Sequence, residues 1–153
     1  MQVEVDQSGK IGQTNADTVL AFSNGESFTV MIPKQVKQIC LRELRSRQIA
    51  ATDIYLRMFA VGLYFLLQSH LHKLDLVVVD REYPGQEQKI KQQLYNLLRR
   101  RGQKPRHSQL VFGYLYLAIL AKNPMHNFSA WVSHRGTQKA DLILTVEDVL
   151  REF

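Results

Sequence analysis

The chain opens on an alternation, with Val3 and Val5 set against Glu4 and Asp6; the period of two predicts a short strand, Val3–Asp6, that passes into the turn-rich segment Gln7–Gly12. Thr18–Ser23 and Ser27–Ile32 read as two further strands. Between them Asn24-Gly25 is the strongest short hairpin signal, favouring a two-residue type I′ turn. Pro33 then punctuates the chain. Val36, Ile39, Cys40 and Leu44 recur at helical spacing, which predicts a helix over Lys34–Arg47, and Thr52-Asp53 caps a second, from Ile54 to about Leu71, that is apolar almost all round. Leu74–Val79 is a β-branched run of the kind buried on both faces of a sheet, and it stops at Asp80.

Beyond Tyr83-Pro84-Gly85, an amphipathic helix over Gln86–Arg101 carries Ile90, Leu94, Leu97 and Leu98 on one face. It ends in three arginines and Gly102, with cations at the negative end of its dipole. Gln109–Leu120 fits a strand that begins Leu110-Val111-Phe112, or a helix capped by Ser108. Asn127–Ser133 fits a strand or a helix end. Asp141–Thr145 is a short apolar run, and Thr145–Asp148 resembles a capping box that starts a last helix over Val146–Glu152. A meander of three antiparallel strands followed by βαβ units predicts an α/β fold, with a mixed sheet, helices on both faces and one domain over residues 1–153.

Composition adds two expectations. At 45% hydrophobic and 22% charged residues the chain is of ordinary globular make-up, but 20 Lys+Arg against 14 Asp+Glu give a net charge of +6. A basic domain suits a polyanion such as nucleic acid, and Arg99, Arg100, Arg101, Lys104 and Arg106 are its densest cationic cluster. A single cysteine, Cys40, excludes an intrachain disulfide and a cysteine-built zinc site. With polar, acidic first residues and no apolar run of membrane length, it points to the cytoplasm and to no membrane partner.

The chemistry lies in the acids. Two strands that each end in aspartate, Asp6 and Asp80, bring two carboxylates side by side if the strands are neighbours, at the carboxyl rim where open α/β sheets place their sites. Clustered carboxylates suit hard cations such as Mg²⁺ or Mn²⁺. No glycine-rich phosphate loop and no nucleophile–base motif accompanies them.

With Val3-Glu-Val-Asp-Gln-Ser-Gly on the first strand, Glu43 on the first helix, Asp80 ending the fourth strand, and Trp131-Val-Ser-His-Arg-Gly136 followed by Asp141, the chain resembles the ribonuclease H-like superfamily. The resemblance covers the order of elements along essentially the whole chain. It implies a metal-dependent nuclease in which Asp6, Asp80 and Asp141 hold Mg²⁺ or Mn²⁺, with Glu147 and Asp148 as alternatives for the third acid. It also implies that Glu43 completes the site, that His134 assists product release or proton transfer, and that a metal-activated water hydrolyses a nucleic-acid phosphodiester. A catalytically inactive module of the same fold, binding nucleic acid or a protein, is the other function it allows.

Overall fold

The computed structural model describes residues 1–113 and 139–153. Within them, six strands form one mixed sheet: β1 (Gln2–Ser8), β2 (Thr18–Asn24), β3 (Glu26–Ile32), β4 (Leu76–Val79), β5 (Leu110–Phe112) and β6 (Leu142–Ile143). Four helices accompany them: α1 (Lys34–Ser46), α2 (Ala51–Leu67), α3 (Glu87–Arg100) and α4 (Val146–Leu150). The strand order is β5-β4-β1-β2-β3-β6. β1, β2 and β3 are the expected antiparallel meander; β4 runs parallel to β1, β5 parallel to β4, and β6 parallel to β3. Of the expected segments, His134, Asn127–Ser133 and Gln109–Leu120 beyond residue 113 lie outside the described residues.

The period-two pattern decides what each face of the sheet does. Val3 and Val5 of β1, Leu20 and Phe22 of β2, Val30 and Ile32 of β3, Val77 and Val79 of β4 and Leu110 of β5 all join the main core. Residues of every described helix enter it too, among them Cys40 and Leu44, Phe59 and Leu63, Ile90 and Leu94, and Val149. The described helices therefore sit on one face of the sheet, where the sequence pattern predicted helices on both. The other face carries Glu4, Asp6, Val19, Ala21, Thr29 and Val78, all buried, with Val111 and Ile143 exposed toward the edges.

The hairpin also departs from its prediction. Asn24 pairs with Glu26, and Ser23 with Ser27, so Gly25 stands alone at the apex with φ +84°. A type I′ turn needs positive φ at both central residues, and among the described residues only Gln48 and four glycines have it. The Asn24 amide instead donates across the sheet to the Gln2 carbonyl.

Helix starts differ in detail as well. α2 begins at Ala51, behind Ala50 and without a side-chain cap, and stops at Leu67 ahead of a single 3₁₀ turn over Leu71–Lys73. At α1 the orphan Lys34 N–H is accepted by Asp17 Oδ1 at 2.8 Å. The capping box of α4 forms as predicted: the Asp148 N–H donates to Thr145 Oγ1 at 3.1 Å, and the Thr145 N–H to Asp148 Oδ2 at 2.9 Å.

α2 is apolar nearly all round because it is the helix laid closest to the sheet, and Gly62 permits that approach. A Cβ built there meets Leu20 Cδ1 at 2.7 Å and Ile32 Cδ1 at 3.4 Å, both on fully buried side chains. Gly62→Ala gains up to about 1 kcal/mol of helix propensity but meets an overpacking cost of about 1–3 kcal/mol. The expected outcome is a net loss of roughly 1 kcal/mol in urea unfolding at unchanged m-value. None of the described helices is long and apolar enough to cross a membrane.

Candidate metal centre

β1 and β4 lie side by side in register, Val5 opposite Val79, so the next residue on each strand is an aspartate. The chain leaves β1 toward β2 and leaves β4 toward β5, in opposite directions from the pair. The carboxyl ends of β1 and β4 thus lie together at the rim of the sheet, where the two connections diverge. Asp6 is 6% exposed and Asp80 half-buried. The strand ladder continues into the site through the Asp80 N–H, which donates to the Val5 carbonyl at 3.2 Å.

A third acid joins them. Asp6, Asp80 and Glu82 each offer an oxygen, and the three atoms lie within 4.8 Å of one another; among the described residues this is the one group of three such ligands. Glu82 stands in the loop that follows β4, and Tyr83 fixes that loop. The Tyr83 hydroxyl accepts from Gln7 Nε2 and from the Ile11 N–H, each at 3.3 Å, and its ring packs on Phe59 with centroids 4.9 Å apart. The loop bearing Asp80 and Glu82 is thereby held against both the end of β1 and the turn beyond it. Lys37, fully buried on α1, secures that turn: its ammonium donates to the carbonyls of Lys10 (3.2 Å) and Gln13 (2.8 Å) and to Thr18 Oγ1 (2.9 Å).

The electrostatics follow from this packing. Burial first, then the hydrogen bond and negative charge of Asp80, push Asp6 up to about 8, so its carboxyl holds a proton at neutral pH in the absence of a cation. Burial also raises Glu82, opposed by the positive charge of Lys10 and reinforced by Asp80. Three convergent carboxyl groups with hard oxygen donors fit a divalent cation such as Mg²⁺ or Mn²⁺, whose charge would take the place of that proton.

The other predicted site residues go elsewhere. Asp141 is locked at the far side of the sheet: the Thr29 N–H and Oγ1 donate to its Oδ2 at 2.8 and 3.2 Å, and its own N–H donates to Thr29 Oγ1 at 2.9 Å. Asp6, Ala21 and Thr29 occupy one row across β1, β2 and β3, which puts Asp141 three strand spacings, about 14 Å, from Asp6. Asp148 is bound in its capping box and Glu147 belongs to the same short helix. Glu43 projects from α1, on the helix-bearing side of the sheet, and pairs with Arg47 at 3.2 Å.

The basic cluster divides. Arg100 and Arg101 face the buried carboxylate of Glu152, Arg100 at 3.9 Å and Arg101 in direct contact. Arg99, Lys104 and Arg106 are exposed and make no ion pair among the described residues.

Glu82 is the one ligand candidate that the sequence pattern did not single out. Its only signal was its place two residues after Asp80, in a loop with no periodicity to orient it. No family model matches the chain, and neither a curated protein nor a solved structure matches it.

Proposed function

We propose that the chain is a metal-dependent nuclease on a ribonuclease H-like fold. The observation that carries the reading is the convergence of Asp6, Asp80 and Glu82 at the carboxyl ends of two parallel central strands. The antiparallel meander followed by a fourth strand parallel to the first supports the fold assignment, and the net charge of +6 supports a polyanionic substrate.

In this reading Asp6 and Asp80 hold the cation from rigid strand ends, and Glu82 closes the site from the loop clamped by Tyr83. A divalent ion bound there supplies Lewis acidity toward a phosphodiester and lowers the pKa of water. The chain's own residues would fix the ligand oxygens through the strand ends and the Tyr83-held loop, and keep bulk water from the buried side, where Asp6 lies. Lys10, beside Glu82, offers a positive charge at the rim for a phosphate.

The distance of Asp141 from the trio favours the second function, a nucleic-acid-binding module without activity. The two are separated by incubating RNA, DNA and hybrid substrates with Mg²⁺ or Mn²⁺. The nuclease reading expects cation-dependent cleavage that falls by about 100-fold or more in Asp80→Asn, the scale of losing one transition-state electrostatic interaction. Equal rates in wild type and variant, with and without the cation, would falsify it.

A further inference from the structure

The segment of chain that holds Arg99, Lys104 and Arg106 forms a surface whose make-up points to a partner. A cleft of about 330 Å³ runs along the outer side of α3, walled by Gln88, Lys91, Gln92, Arg99 and His107 over the Tyr95 ring. A second, of about 300 Å³, opens beside it where His72, Gln103, Lys104 and Arg106 meet. Consecutive residues, Arg106 and His107, join the two. No aspartate or glutamate lines either cleft, and the polar walls consist of amides, imidazoles and cations.

Lys91, Arg99 and Arg106 are held in place rather than trailing in solvent. Lys91 Nζ and Arg99 Cζ lie 5.5 and 5.6 Å from the centre of the Tyr95 ring. Lys91 donates to the His107 carbonyl at 2.6 Å, and the Tyr95 hydroxyl to the Arg106 carbonyl at 2.6 Å. Arg106 donates to the Asp75 carbonyl at 3.2 Å, and Gln109 Oε1 accepts from the Arg106 N–H at 3.1 Å. These bonds tie α3 and the 103–109 segment into one rigid wall. From Gln88 to Arg99 the wall is about 17 Å long at 1.5 Å per residue, enough for several phosphates.

We infer that this surface is a polynucleotide backbone track, with Lys91, Arg99, Lys104 and Arg106 neutralising phosphates and Gln88 and Gln92 as additional hydrogen-bond donors. Donors alternating with cations match phosphate oxygens, and with no acid in either wall the surface presents a single sign of charge to a polyanion. Arg100 and Arg101, engaged with Glu152, take no part. The inference goes beyond the nuclease reading, since the second cleft lies where His72 and Gln109 precede β4 and β5, at the strand ends opposite the acids. It does not depend on a cation at the acids, so binding and cleavage fail separately.

The test is fluorescence anisotropy of a short labelled single-stranded oligonucleotide in EDTA over a salt series, with polyglutamate as the competing polyanion. Lys91→Gln/Arg99→Gln and Lys104→Gln/Arg106→Gln are compared with Arg42→Gln/Arg45→Gln, which removes the same charge from exposed positions on α1. Each track variant is expected to weaken binding by tenfold or more at low salt. Each should also reduce the slope of log K against log salt by about 1.4, or roughly 0.7 for each phosphate no longer neutralised, while the α1 variant leaves the slope unchanged. Equal losses in all three variants, no binding by wild type at low salt, or binding of polyglutamate as tight as that of the oligonucleotide would each overturn the inference. Thermal unfolding of the variants, all at surface cations, confirms that the comparison is between folded proteins.

Discussion

Asp6→Asn is expected to make the cation-free protein more stable at pH 8 and to abolish its stabilisation by Mn²⁺. In the native state the Asp6 carboxyl is raised from 3.8 to about 8. Between those two values the folded state binds a proton that the unfolded chain has released, so the Asp6 contribution to stability falls as pH rises from about 4 to about 8 and is constant above it. A shift of that size corresponds to a few kcal/mol, the cost of placing a buried negative charge beside Asp80. Asparagine keeps the size and hydrogen-bonding capacity of the protonated side chain and removes the charge. Melting temperatures measured in EDTA across this range should decline for wild type and decline less for the variant, in which Glu82 is still raised by burial. With Mn²⁺ the wild-type decline should disappear, because the ion takes the place of the proton; the variant should show little response. A wild-type profile that is flat in EDTA would remove the electrostatic basis of the site.

The second large effect concerns the turn that the site leans on. Lys37→Met keeps the aliphatic stem in the core and deletes the ammonium, leaving the carbonyls of Lys10 and Gln13 and the Thr18 hydroxyl without their donor. Losing three charge-assisted bonds at a buried position is expected to cost about 3 kcal/mol, read as a drop in the urea midpoint. Lys37→Arg is expected to destabilise as well, since a planar fork cannot address three acceptors converging on one point. The Lys37 pKa is lowered to about 8, chiefly by burial and against the pull of Asp17. Wild type should therefore gain stability as pH rises from about 8 toward 10.5, where the folded state has lost a proton that the unfolded chain still holds. Lys37→Met should lack that gain. A midpoint unchanged by Lys37→Met would show that the turn holds itself.

Both effects arise from residues whose neighbours a linear reading reveals only in part. Asp6 and Asp80 were legible because their strands announce themselves. The Val3/Val5 alternation sets the face of Asp6, the run Val77-Val78-Val79 marks a central strand, and a parallel pairing in register makes the two acids adjacent. Asp141 was not legible, because its position depends on which edge β6 joins. That strand is two residues long and pairs with β3 rather than near β4, a choice no local pattern encodes. Glu43 lay on the predicted helix, but its spacing to Arg47 also made it half of an i,i+4 ion pair, and that is what forms. Glu82 and Lys37 were missed for a common reason: each is placed by interactions across the fold, Glu82 by the Tyr83 clamp and Lys37 by three acceptors from the β1–β2 turn and the start of β2. The Asn24-Gly25 signal correctly marked the reversal and not its register, since Asn24 stays in the ladder opposite Glu26 and Gly25 alone takes positive φ.

Everything proposed for the site rests on Asp6, Asp80 and Glu82 sharing one cation, and Glu82 is the member that only the three-dimensional arrangement reveals. Calorimetric titration of Mn²⁺ into wild type and Glu82→Gln tests this directly. Wild type is expected to bind the ion saturably and the variant at least about tenfold more weakly, since a direct ligand should matter no less than the outer partners of a metal site. Unchanged affinity in Glu82→Gln, or no saturable binding by wild type, would contradict it.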